Sequence, residues 1–213
     1  MSDISLIENY IYLKKLNLDV QEQKETAHSM YDIIKKNFSK DNDDFSGQST
    51  LTTALFGHYN YLLYPLPGIS KLYNQIRETF HICNKMSNME IYDEYHIQCW
   101  LNFFTKGQLI DWHGHWPKGW ESWHGFYCVD VEPDSKTSYR IPNHMEEIEI
   151  PSRDNLLVLS RSDGDLHKSS KWEHEDRPRI TIAFDILPTK LFHKPYVDLI
   201  GRDPSHLNHW IPL

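Results

Sequence analysis

The 213-residue sequence lacks the features that mark several large classes of protein. It contains only three cysteines, Cys83, Cys99 and Cys128, without a Cys-x-x-Cys pair, so neither a disulfide framework nor a thiolate zinc site is indicated. No stretch approaches the ~18 consecutive apolar residues of a membrane span, and the first residues lack the basic patch and apolar run of a secretory leader. We therefore expect a soluble cytoplasmic protein whose thiols are reduced and buried.

Positive charge is also scarce. The sequence has 22 lysines and arginines against 30 aspartates and glutamates, and its formal net charge is −8. Such a chain repels phosphate backbones and offers no basic face to anionic lipid, so we expect neither nucleic acid nor a membrane as a partner. Aromatic residues, by contrast, make up 13% of the chain, and they supply large rigid side chains for a core and for a pocket.

The hydrophobic pattern divides the chain, expected to be one domain over residues 1–213, into three regions. Residues 1–90 are interpreted as a helical scaffold, with helices predicted over about 20–38 and 71–80 and a strand favoured over a helix at 10–18. Residues 91–190 contain short β-rich runs separated by turn residues, which predict a mainly β sandwich or jelly roll. Residues 191–213 are expected to be an irregular tail that packs back on the body. The strands predicted in the β region cover residues 95–104, 109–115, 125–131, 137–141, 147–150, 155–160, 166–170 and 179–187.

Three histidines in the β region form a candidate metal site. His113 and His115 follow Gly107 in a Gly-x5-His-x-His pattern, and on a strand they share one face with Asp111, with neighbours about 6.6 Å apart at ~3.3 Å per residue. His167, from a distant strand, is placed to close the site between them. Because an isolated His-x-His pair is more often a structural or surface feature than a ligand pair, this prediction depends on the surrounding residues.

The second half of the β region supplies that context. An apolar run over residues 156–159 precedes His167, and Arg179-x-Thr181 follows. This order resembles the distal half of the iron(II)- and 2-oxoglutarate-dependent oxygenase superfamily, and the Gly-x5-His-x-His pattern resembles the first signature of the cupin-type β-helix. The combination is more specific than any of its parts, since each part alone is common.

Within this superfamily the chain is most similar to small oxygenases that have a characteristic strand on each side of the histidine pair. These strands are Trp100-Leu-Asn102, before the pair, and Gly125-Phe-Tyr127, after it. The resemblance covers residues 95–187. It implies a double-stranded β-helix, which is a cupin-like jelly roll, preceded by helices.

The resemblance also implies cofactors and roles for individual residues. Fe(II) is held by histidines and binds 2-oxoglutarate, and O₂ oxidises a second substrate while 2-oxoglutarate is converted to succinate and CO₂. Arg179 and Thr181 then bind the far carboxylate of 2-oxoglutarate through a planar set of N–H donors and a hydroxyl. Asn102 and Tyr127 are further candidate contacts of this co-substrate, but the inward residue of the second strand is either Tyr127 or Cys128.

One position departs from the family pattern. The usual iron ligands are two histidines and one carboxylate, but this chain has His115 at the position of the carboxylate. A neutral third ligand would leave the iron one charge unit more positive. Three candidates for the third ligand remain open: His115 itself, Asp111, and a carboxylate of the following loop such as Glu121.

The loop after the histidine pair is the most aromatic part of the chain. Its rings Trp116, Trp120 and Trp123, together with Asp111, are candidate substrate contacts in a lid, although rings in this position also suit a structural seal of the barrel mouth. The sequence thus predicts a 2-oxoglutarate-dependent dioxygenase for an unidentified small molecule or peptide. The alternatives are a cupin-type metalloenzyme that does not use 2-oxoglutarate, against which Arg179-x-Thr181 argues, and a non-enzymatic jelly-roll binding module.

Overall fold

The computed structural model describes residues 4–38, 50–87, 94–192 and 209–213. These residues contain three α-helices and ten β-strands, besides short 3-10 turns. The helices are α1 (Val20–Phe38), α2 (Leu51–Ala54) and α3 (Ile69–Met86). The strands are β1 (Ile4–Ile7), β2 (Ile11–Lys15), β3 (Tyr95–Phe104), β4 (Ser122–Asp130), β5 (Lys136–Arg140), β6 (Ile148–Pro151), β7 (Leu156–Ser162), β8 (Leu166–Ser169), β9 (Arg179–Pro188) and β10 (Ile211–Pro212).

Two antiparallel sheets form the body of the described part of the chain. The large sheet has seven strands in the order β1-β2-β7-β4-β9-β3-β10, and the small sheet has three in the order β6-β5-β8. Strands that are distant in sequence, such as β3 and β9, are therefore neighbours in space. Side chains of both sheets line one cavity between them. This architecture confirms the predicted mainly β jelly roll.

The two faces of the large sheet differ because side chains alternate along each strand. Every second residue lines the cavity from Trp100 to Phe104 of β3 and from Arg179 to Asp185 of β9. On the opposite face, Trp123 of β4 packs against Tyr12 of β2 and Phe80 of α3, with ring centroids 5.5 and 5.8 Å apart. The helices thus cover one face of the sheet with apolar contacts, and the other face is available for a site.

Local signals account for the starts of the two long helices. Helix α1 begins at Val20, and the carboxylate of Asp19 accepts hydrogen bonds from two backbone N–H groups of its first turn. Helix α3 begins at Ile69 after Gly68, whose φ of +76° lies in the left-handed region that favours glycine. Helix α1 has the predicted bounds, and α3 extends to Met86, further than predicted.

The segment that contains the histidine pair differs from the prediction, because it is not a continuous strand. It runs beside β8 and bonds to it at separate points: Ser169 donates its N–H to the carbonyl of Ile110 (2.9 Å), and His113 and His167 exchange two backbone hydrogen bonds (3.1 and 2.9 Å). Between these two points the histidine segment advances three residues, from Ile110 to His113, whereas β8 advances only two, between Ser169 and His167. The histidine segment therefore contains one extra residue, as in a β-bulge. The extra residue breaks the alternation that would place Asp111 on the face of the histidines.

The ends of the described chain also contribute strands. Strands β1 and β2 extend the large sheet beyond β7, so residues 1–90 are not purely helical, and the strand favoured over residues 10–18 is confirmed as β2. Strand β10 pairs with β3, whereas residues 193–208 of the predicted tail lie outside the described residues. Within the described residues, none of the helices combines the length and apolarity needed to cross a membrane.

Candidate metal centre

A cavity of about 230 Å³ lies between the two sheets. Its walls come from β3 and β9 of the large sheet, from β5 and β8 of the small sheet, and from the segment that carries the histidine pair. Phe56, Trp100 and Phe126 give it apolar surface. The cavity contains two chemically distinct groups of polar side chains, the histidines and the surroundings of Arg179.

The three predicted histidines come together on the wall of this cavity. His113 and His115 belong to the bulged segment and His167 to β8, and the reciprocal backbone bonds of His113 and His167 hold the two parts side by side. One nitrogen from each ring lies within 4.8 Å of the others, which is close enough for the three to share an ion. The ring centroids are 4.3 Å apart for His113 and His167, 5.0 Å for His115 and His167, and 5.4 Å for His113 and His115.

The Nδ1 atoms of these three rings lie near oxygen atoms of aspartate residues. Nδ1 of His113 is 2.7 Å from the backbone carbonyl of Asp111, and Nδ1 of His115 is 2.5 Å from Oδ1 of Asp185. Nδ1 of His167 has Asp165 Oδ2 at 4.0 Å. Metal-bound histidines typically donate their second N–H to a carbonyl or carboxylate in this way, which fixes the tautomer. For His113 this hydrogen bond leaves Nε2 to bind an ion, and for His115 the contact with Asp185 places a carboxylate beside Nδ1.

Burial also favours the form of the imidazoles that binds metal. Removal from water lowers the pKa of His113, and the neighbouring His115 ring lowers it further. Burial lowers the pKa of His167 well below its ordinary value, with further lowering by His124, His115 and His113. A neutral imidazole keeps a lone pair for a cation, whereas a protonated one does not. The site is thus prepared to accept a positive ion.

Arg179, at the start of β9, lines the same cavity and is only 2% exposed. Its Nη2 is 3.5 Å from the hydroxyl of Thr137, and its guanidinium lies over the ring of Phe104. Nε and Nη1 are buried without a hydrogen-bond partner among the described residues, and burial lowers the pKa of the group. A buried cation without a counter-charge is costly. These donors are therefore suited to an anion that enters the cavity.

Thr181 and Asn102 lie next to Arg179 on the cavity wall, as the sequence predicts. They are opposite each other on β9 and β3, and Nδ2 of Asn102 donates to Oγ1 of Thr181 at 3.3 Å. Thr53 of α2 donates to Oδ1 of Asn102 at 2.6 Å. A short hydrogen-bonded network of Thr53, Asn102 and Thr181 thus lies beside the arginine on the cavity wall.

The structure corrects two predictions on β4. Tyr127 and Trp123 do not line the cavity, because they lie on the face of the sheet that packs against the helices. The hydroxyl of Tyr127 donates to Oδ1 of Asn155 on that side. Cys128, the alternative inward residue, pairs with Thr181 across the sheet. Tyr127 is therefore removed from the candidate co-substrate contacts and Trp123 from the candidate substrate contacts.

The loop candidates also lie outside the cavity. Asp111 is exposed, and its carboxylate accepts a hydrogen bond from the N–H of Trp112 (2.8 Å) instead of facing the histidines. Glu121 lies 3.3 Å from the amine of Lys190. Trp116 packs in a separate apolar cluster with Trp120 against it. The structure therefore offers no support for Asp111 or Glu121 as the third ligand, or for these tryptophans as substrate contacts.

Three buried polar residues near the histidines were not predicted. Nε2 of His124 is 2.7 Å from Oδ2 of Asp165, and the His124 ring is 4.5 and 4.6 Å from those of His115 and His167. His124, Asp165 and His167 form a second group with ligand atoms within 4.8 Å of one another. Asp185 is the third residue. Sequence signals could have found two of them: Asp165 precedes His167 by two residues, and Asp185 continues the alternation of inward residues on β9.

Comparisons with known proteins relate the fold to one enzyme class. Neither a protein-family model nor a curated protein matches the sequence. Solved structures do match: a prolyl hydroxylase from Trichoplax adhaerens, in complex with a peptide fragment of the hypoxia inducible factor oxygen degradation domain, has a TM-score of 0.62 at 12% identity over 86% of each chain. A 2-oxoglutarate–Fe(II) family oxidoreductase from Burkholderia pseudomallei has a TM-score of 0.52 at 12% identity over 85% of each chain.

A third similar structure is SnoN, a non-haem alpha-ketoglutarate-dependent epimerase from nogalamycin biosynthesis. It has a TM-score of 0.57 at 11% identity, over 91% of this chain and 87% of SnoN. Identities this low establish the fold alone. The chain has the jelly-roll fold of Fe(II)- and 2-oxoglutarate-dependent oxygenases, in agreement with the resemblance drawn from its motifs.

Proposed function

We propose that the protein is a non-haem Fe(II)- and 2-oxoglutarate-dependent dioxygenase that hydroxylates or otherwise oxidises a substrate still to be identified. One observation carries the proposal: a buried arginine without a counter-charge among the described residues and a cluster of three histidines line the same cavity. An anion would compensate the charge of the arginine, and the histidine nitrogens can bind a metal cation. A dicarboxylate that also chelates a metal satisfies both requirements.

The three histidines fit an iron centre. His113 and His115 have their Nδ1 atoms directed to oxygen acceptors, and the pKa values of His113 and His167 are lowered, so neutral imidazole nitrogens are available. Imidazole ligands suit Fe(II), and three ligands leave coordination positions open. When bound, the metal supplies the redox chemistry that couples O₂ and the oxidation of 2-oxoglutarate to oxidation of the substrate.

Arg179 is proposed to bind the far carboxylate of 2-oxoglutarate. Nε and Nη1 have no partner among the described residues, and the planar guanidinium offers pairs of parallel N–H donors of the kind that match the two oxygens of a carboxylate. Thr181 and Thr137 add hydroxyl groups beside it. Because the contact is buried, water competes little for these donors, and the carboxylate offsets the cost of the buried cation.

The substrate is proposed to lie against the apolar wall near His115. The ring of Trp100 is 6.1 Å from that of His115 at an interplanar angle of 28°, and Phe56 packs against Trp100 at 5.5 Å. Rings in these positions exclude water and orient a bound molecule. Similar structures include an enzyme solved with a peptide fragment and an epimerase of nogalamycin biosynthesis, so peptides and small molecules are both candidates.

Anaerobic titration tests the proposal. Fe(II) followed by 2-oxoglutarate should produce the weak visible charge-transfer band of a chelated complex, and succinate should form when O₂ is admitted. Tight binding of one Fe(II) without any response to 2-oxoglutarate would favour a cupin-type metalloenzyme, a second candidate supported by the three-histidine ligand set. A protein that binds no metal would instead agree with a jelly-roll binding module.

A further inference from the structure

Asp185 is the carboxylate nearest to the unusual third histidine. It lies on β9, is 5% exposed and lines the cavity. Its Oδ1 is 2.5 Å from Nδ1 of His115, although that oxygen lacks the alignment of a regular hydrogen bond. Asp185 is not part of the group of ligand atoms formed by the three histidines. It therefore contacts the outer side of His115 rather than the position where the ion would bind.

We propose that Asp185 is a positioning residue that acts through His115. It holds His115 with Nε2 directed to the metal, and it supplies, from behind this ring, the negative charge that a carboxylate ligand would otherwise supply. This inference rests on the proposed metal site. A carboxylate partner makes a bound imidazole a stronger donor, so a histidine with an aspartate behind it approaches the charge and basicity of an anionic ligand.

The groups that face Asp185 support this role. Gln98, opposite it on β3, uses its Nε2 on the carbonyls of Phe56 and Tyr59. His124, opposite it on β4, is bonded to Asp165. Within the described residues no lysine or arginine forms an ion pair with Asp185. The His115 ring, together with the ion it would bind, is therefore the partner that compensates the buried carboxylate.

The substitution Asp185→Asn tests the charge while keeping the shape and one oxygen acceptor. Loss of a carboxylate behind a metal-bound histidine typically lowers metal affinity about 10–100-fold. We expect this loss for Co(II), measured by competition with a chelating dye and by the visible spectrum of the bound ion. The measurement needs neither 2-oxoglutarate nor turnover, so its outcome is separate from that of the oxygenase test.

The same substitution made in the His115→Asp variant shows whether Asp185 acts through His115. In His115→Asp the carboxylate is itself the ligand, so adding Asp185→Asn should change Co(II) affinity less than about threefold, because the second charge is no longer needed. Asp134→Asn is the matched control, since Asp134 also faces a histidine, His174 (3.2 Å), but at the surface. It should bind Co(II) like the unmodified protein.

Three outcomes would overturn the inference. Unchanged affinity in Asp185→Asn would show that the carboxylate does not assist the metal. Equal losses in both backgrounds would show that it acts independently of His115. Loss of the ion in Asp165→Asn with retention in Asp185→Asn would place the metal in the neighbouring group that contains Asp165. If Asp185→Asn does not fold, as judged by circular dichroism, Asp185→Ser carries the same expectations.

Discussion

Replacing Arg179 by methionine separates the co-substrate site from the metal site. The change removes the guanidinium but keeps an unbranched side chain that fills the space of the arginine's aliphatic part. Among the described residues Nε and Nη1 of Arg179 have no partner, and a hydrogen bond between charged groups contributes about 1.5–3 kcal/mol. Loss of both should cost about 3–6 kcal/mol, which at about 1.4 kcal/mol per tenfold is roughly a hundredfold to ten-thousandfold in 2-oxoglutarate affinity.

Although Arg179→Met should weaken 2-oxoglutarate binding, it should not weaken the fold of the ligand-free protein. Arg179 is a buried cation without a counter-charge among the described residues, so its removal should leave the melting temperature unchanged or raise it. Calorimetry of the iron-loaded protein under anaerobic conditions gives the 2-oxoglutarate affinity, and thermal unfolding gives the stability. A variant that is simply misfolded would show both a lower 2-oxoglutarate affinity and a lower melting temperature. The two measurements together therefore distinguish misfolding from specific loss of the co-substrate contact.

Arg177 provides the matched control. It is part of ion pairs with Asp130 (2.8 Å) and Glu132 (2.9 Å) and does not line the cavity. Arg177→Met should therefore keep normal 2-oxoglutarate affinity and lose at most about 1 kcal/mol of stability, as is usual for partly exposed pairs. Unchanged 2-oxoglutarate affinity in Arg179→Met would refute the assignment of this arginine and leave the three-histidine cupin reading as the better one.

Further predictions concern the ligands and the thiols. His113→Ala and His167→Ala should each abolish Fe(II) binding in equilibrium dialysis while circular dichroism stays native; near-stoichiometric iron in either variant would contradict the ligand assignment. His115→Asp should keep iron and at least preserve 2-oxoglutarate turnover. Asp111→Ala should have little effect on metal content, because the Asp111 carboxylate bonds to the N–H of Trp112 outside the histidine cluster. Loss of the metal in Asp111→Ala with retention in His115→Ala would make Asp111 the ligand. Burial raises the pKa of all three thiols, that of Cys128 to about 11, so none should react rapidly with a disulfide reagent at pH 8 until the protein is denatured, and a fast native reaction would contradict this burial.

Much of the architecture follows from short-range patterns. Alternation of apolar residues predicts β3 with its observed bounds and β9 to within one residue, and the three- and four-residue repeat predicts α1. The same patterns place the three histidines and Arg179-x-Thr181 on elements of one β region. These features are accessible from sequence because each depends on residues only a few positions apart.

Strand direction and register decided the rest. Tyr127 and Trp123 lie on the face of the sheet that packs against the helices. A shift of one residue along a strand exchanges its inward and outward side chains, so the sequence alone does not show which residues face the cavity. The bulge before His113 turns Asp111 out of the site, although regular alternation would keep it in. Neither outcome can be derived from local composition, since both depend on how one strand bonds to a distant neighbour.

The sequence by itself determined which chemistry is present: imidazoles, an arginine with a nearby hydroxyl, and an apolar β framework to carry them. Only the tertiary structure decided the environment of these groups. It placed Asp185 behind His115 and Asp165 beside His124, and among the described residues it gave Arg179 no counter-charge. The reason is that the charge balance of a buried site depends on contacts between side chains that are tens of residues apart, and these contacts are defined by strand order and packing.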